Sequence, residues 1–91
     1  MTSFLSRLFG KPAAASEPEP VLYKDCRIFA APIRETSGFR VAARIEKDID
    51  GQVRIHQMSR ADTFTSRDEA EAMSVTKARQ AIDQLGASLF S

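Results

Sequence analysis

A single cysteine, a single histidine and no tryptophan occur in the ninety-one residues of this chain, and these shortages exclude much chemistry. Cys26 has no second thiol with which to close an internal disulfide, which groups the chain with intracellular, cytoplasmic proteins. As a small apolar side chain on a strand it is expected to face the core. One cysteine and one histidine, His56, cannot assemble a zinc set within one chain, and a Cys–His nucleophile pair is not expected. Four dispersed glycines make no phosphate-cradling loop. Carboxylates are scattered over turns and a helix surface, where solvation explains them. Neither a catalytic site, a metal site nor a cofactor is expected.

Long apolar runs are also missing. Nothing approaches the ~20 consecutive apolar residues of a membrane-spanning helix. The opening stretch lacks a positively charged n-region and is interrupted by Arg7, so Ala13, Ala14 and Ala15 are not read as a cleavage site. Charge of one sign is lacking too: thirteen Lys and Arg balance twelve Asp and Glu, for a formal net charge of +1. Such a chain is no dedicated polycation. Residues 24–60 nevertheless hold eight basic against five acidic side chains.

The N-terminal part and the rest differ in character. Phe4, Leu5, Leu8 and Phe9 sit at helical spacing, with Ser3, Ser6 and Arg7 opposite, as in one or two turns of amphipathic helix. A helix so short is not stable alone in water. Residues 11–20, with three prolines and three alanines, read as an extended linker. The expected division is therefore an amphipathic segment plus linker over 1–20 and one βββα domain over 21–91. The segment either folds back on its own domain or docks on a partner protein or membrane surface.

The expected fold is α+β: a three-stranded antiparallel meander packed by one long C-terminal helix. Residues 23–32 form the first strand, with Pro32 at its end. Phe39, Val41, Ala43 and Ile45 alternate with Arg40, Ala42, Arg44 and Glu46 in a half-buried second strand. Asp48, Ile49, Asp50 and Gly51 suit a three-residue loop with a bulge glycine, placing Ile45 opposite Ile55 and Lys47 opposite Val53. A two-residue Asp50-Gly51 turn is the alternative, and it sends Val53 and Ile55 to the opposite face. The third strand runs from Gln52 to about Ala61. Ser66 and Glu69 form a capping box, Gly86 a C-cap, and Met73, Ala78, Ala81, Ile82 and Leu85 a stripe facing the sheet. Leu89 and Phe90 pack back over the sheet. The expected core includes Phe29, Val53, Ile55 and Leu85. A domain this small buries a modest share of its surface, which leaves room for a homodimer.

The bulged turn has a functional corollary. It points Arg40, Arg44, Arg54, His56 and Arg60 outward together, a face able to contact phosphates or a DNA groove as β-sheet readers do. The ordinary alternative is the solvated face that any half-buried antiparallel sheet carries. No Phe, Tyr or Trp belongs to this set, so stacking on single strands is not supported. No helix-turn-helix is present. A non-enzymatic adaptor docking through Phe4, Leu5, Leu8 and Phe9 is the competing reading.

Tyr23-Lys24-Asp25-Cys26-Arg27-Ile28, the run from Phe39 through Arg44 to Lys47, and Asp50-Gly51 resemble the HlyU-type small bacterial proteins. Arg60-Ala61-Asp62-Thr63-Phe64, the run from Lys77 to Gly86, and the terminal Leu89-Phe90 extend that resemblance over residues 23–90, and the opening SFLSRLFG is similar as well. The resemblance implies transcriptional activation, hence DNA or a regulatory partner, with Arg60 and Arg44 carried over as contact residues. The matching Gly51, Ala61, Asp62, Phe64, Ala78, Ile82 and Gly86 are turn and packing residues.

Overall fold

The computed structural model describes residues 19–91. The α+β reading holds: among these residues an antiparallel sheet is covered on one face by one C-terminal helix. The sheet has five strands, β1 (Val21–Tyr23), β2 (Cys26–Ala30), β3 (Ile33–Glu35), β4 (Gly38–Ile49) and β5 (Gln52–Phe64). Helix α1 (Arg67–Leu85) follows, and a final 3₁₀ turn spans Gly86–Phe90. β4 is the organising strand. One of its edges takes β5, and the other takes β2 and then β3, while β1 adds outside β2.

Two short strands were not expected. The first expected strand is a hairpin, because Lys24 and Asp25 both adopt positive φ (49° and 67°) and turn the chain between β1 and β2. Neither is glycine, and although Asp25 tolerates the left-handed region, Lys24 before it gives no signal for such a turn. The loop expected at 33–38 contains β3, paired to β4 with Ile33 opposite Arg40 and Glu35 opposite Gly38.

The β4–β5 turn departs from expectation with wider effect. Ile49 pairs with Gln52, leaving Asp50 (φ 52°) and Gly51 (φ 79°) as a two-residue turn with both central residues left-handed, the I′ pattern. Ile45 therefore lies opposite His56, Glu46 opposite Ile55 and Asp48 opposite Val53. Side chains alternate across a sheet, so this register sends Val53 and Ile55 away from the helix. Farther on, the pairing slips between Arg40 and Ala42, where β5 carries the extra residues of a bulge.

The core lies between the sheet and α1. Cys26, Ile28, Val41, Ala43, Ile45 and Met58 meet Ala78, Ile82 and Leu89, with Tyr23, Phe64, Met73 and Phe90 packed around them. Leu89 and Phe90 thus fold back as expected. Val53, Ile55 and Leu85 are exposed instead of buried. Phe29 projects to the outer, helix-free face, since its pair partner is Arg44.

The helix begins where the sequence places it. Ser66 caps its N-terminus, its hydroxyl accepting the Glu69 N–H, and Asp68 and Glu69 occupy the first turn. At the other end the Gly86 N–H donates to the Ile82 carbonyl. Tyr23 and Lys24 both donate to the Asp83 carboxylate, at 2.9 and 2.7 Å, which fastens the β1–β2 hairpin to the end of α1.

Candidate nucleic-acid interface

The four arginines and one histidine expected on one face are divided between two, and the two-residue turn is the reason. Arg40 and Arg44 stand on the helix-free face, and each is bound to a carboxylate. Arg40 grips Glu35 through two bonds (Nε to Oε2 at 2.6 Å, Nη2 to Oε1 at 3.1 Å), and its Nη1 also donates to the Arg60 carbonyl. Arg44 donates to Glu46 at 2.8 Å and lies over the Phe29 ring, 4.2 Å from its centroid. Beside them Arg27 reaches Asp48 at 3.1 Å and Glu46 at 3.5 Å. This outer face is a neutral lattice of arginine and acid.

Arg54, His56 and Arg60 belong to the other side of β5, the side that α1 flanks. Arg54 lies directly opposite Lys47 across the β4–β5 ladder. His56 is half-buried opposite Ile45. Arg60 lines a hollow of about 160 Å³ between β5 and α1, together with Lys77, Gln80, Ala81, Gln84 and Leu85. None of Lys47, Arg54, Arg60 and Lys77 forms an ion pair with a described carboxylate. On the helix, Asp83 is engaged with Tyr23 and Lys24. The result is a cationic flank with amide groups in its groove.

Sequence reasoning missed Lys47, Lys77, Gln80 and Gln84. The helical spacing of Lys77, Gln80 and Gln84, adjoining the buried Ala78 and Ile82, held the signal for one flank of the helix. Choosing that flank over the other requires the sheet register. Phe4, Leu5, Leu8 and Phe9 lie outside the described residues.

Other chemistries find little here. Among the described residues no group of three His, Cys, Asp or Glu side chains is placed to hold a metal ion. Cys26 is buried, and that burial raises its thiol pKa, disfavouring the thiolate. No helix among the described residues is long and apolar enough to cross a membrane.

Among the described residues, an antiparallel sheet packed by one helix, with a cationic flank that forms no ion pair, defines a small α+β protein with surfaces suited to contact. A family model described as transcriptional activator HlyU matches residues 3–90, and the chain belongs to that HlyU family. Membership carries transcription regulation as its general function. No curated protein and no solved structure matches the chain.

Proposed function

We propose that this chain regulates transcription by contacting DNA phosphates through the β5 flank, with Arg54, His56 and Arg60 as the contact residues and Lys47 and Lys77 at the margins. The observation that carries the reading is the pairing of Lys47 with Arg54. Like charges directly opposite each other on a sheet are destabilising, so folding alone gives no reason for the pair. A polyanion supplies one, and local rules are commonly broken at functional sites. Arg40 and Arg44 play no leading part in this reading, because their carboxylate partners already satisfy them in geometry and charge.

The test is a titration of duplex DNA with the full chain at two salt concentrations. Affinity should fall steeply with salt, with a log–log slope of roughly −0.9 for each phosphate neutralised. Arg54→Glu together with Arg60→Glu should abolish binding, whereas Arg40→Ala should change it little. Absence of binding at low salt, or indifference to the double reversal, removes the proposal.

A further inference from the structure

The helix-free face of the sheet carries more exposed apolar surface than a solvated face needs. Five large apolar side chains are exposed among the described residues, and Leu22 (75%), Ile33 (46%), Val53 (55%) and Ile55 (54%) are four of them. Their pair partners are Arg27, Arg40, Asp48 and Glu46, so strand alternation puts all four on the side away from α1. Between Ile33 and Ile55 the surface dips. Ala31, Ala42 and Ser59 provide small residues around a depression of about 370 Å³, walled by Ile33 and Gln57. The charges around it are neutralised by one another: Arg40 with Glu35, Arg44 with Glu46, Arg27 with Asp48. An apolar, charge-balanced surface suits an apolar ligand better than a polyanion.

We infer that this face is the docking site for the chain's own N-terminal segment, with an aromatic ring from Phe4 or Phe9 seated in the depression above Ala42. Three observations select that occupant. The segment has the complementary character: Phe4, Leu5, Leu8 and Phe9 at helical spacing make one apolar stripe, and a stripe so short requires a surface to hold it. The tether is long enough. Val21 lies in one row with Ile28, Ile45 and His56, so crossing from β1 to β5 takes three strand spacings, roughly 14 Å. Residues 11–20 can span up to ~33 Å. Finally, the family match runs from residue 3, so the family pattern spans this stretch together with the domain that follows.

Tethering also decides between one chain and two. A short linker holds its ligand at an effective concentration on the order of millimolar, well above that of a second copy in a micromolar solution. The inference stands apart from the DNA reading, since it uses the opposite face.

The test uses the full chain with a nitroxide on Ser3→Cys in a Cys26→Ala background, read by amide signals. Ile33, Ala42, Ile55 and Gln57 should lose intensity, the loss should persist on dilution, and Ile55→Asp should relieve it. A second measurement leaves Cys26 in place: Phe4→Ser with Phe9→Ser should shift those same amides and spare the α1 side. Loss of signal on the helix side, at all residues alike or nowhere overturns the inference. So does loss appearing only between labelled and unlabelled copies, or docking seen only with anionic vesicles or a separate protein.

Discussion

The hydroxyl of Ser74, fully buried on α1, accepts the backbone N–H of Ala42 at 3.1 Å while donating to the Ala70 carbonyl at 2.7 Å. Ala42 sits beside the slip in the β4–β5 ladder, where regular strand pairing lapses. The helix thus supplies a side chain where the sheet is interrupted, which explains the one buried polar residue among those described. Replacing Ser74 by Ala leaves a buried N–H without its partner, an expected loss of about 1–3 kcal/mol of stability. Urea denaturation reads it, and an unchanged midpoint would show that another group takes over the N–H.

Gly38, at the start of β4, has φ +140°, and a Cβ added there would run into the Phe64 carbonyl. The obstacle is backbone, which cannot rotate aside. Gly38→Ala should therefore destabilise the fold by more than ~1 kcal/mol, contrary to the gain from a Gly→Ala change at a compatible site. Thermal melting of the variant gives the sign directly.

Acid should loosen the junction between the β1–β2 hairpin and α1. Bonds from Lys24 and then Tyr23 hold the Asp83 carboxyl below its ordinary pKa. A depressed folded value means the contribution is complete above the unfolded value of about 3.9 and fades as pH falls through the folded one. The Asp83 partner also raises Lys24, whose share is complete below about 10.4 and is lost as pH climbs through the folded value. Asp83→Asn should remove the acid-side dependence. A carboxyl titration by NMR that places Asp83 at or above the free value would refute this account.

Cys26 should react slowly with thiol reagents in the native chain and rapidly once denaturant is added. Its side chain is buried, and burial dominates the upward push on its pKa. Equal rates with and without denaturant would contradict this placement.

Much of the fold is legible in the sequence where one residue has one use. Ser66 and Gly86 bound the helix, and the alternation of Val41, Ala43 and Ile45 with Arg40, Ala42 and Arg44 marks β4 and its faces. Legibility ends where one motif serves two geometries. Asp50-Gly51 fits a two-residue turn as well as a bulged one, and the sequence decides between them only if every aliphatic is assumed to seek the core. Val53 and Ile55 break that assumption, because among the described residues no helix covers their side of the sheet. From that one-residue difference comes the division of the arginines. The β1–β2 hairpin is hidden for another reason: Lys24 and Asp25 bear a backbone shape that the sequence does not announce.

β5 is thirteen residues long and among the described residues hydrogen-bonds to β4 alone, so within them its far margin is an open seam to which a second polypeptide could stitch itself. Natural sheets defend such margins with bulges and long cations. Arg54, Arg60 and the ladder slip near Arg60 have the form of that defence. Long cations at such a margin disfavour edge-to-edge pairing between copies. Neutral replacements would strip that guard, while reversal to glutamate keeps like charges facing one another and the molecules apart.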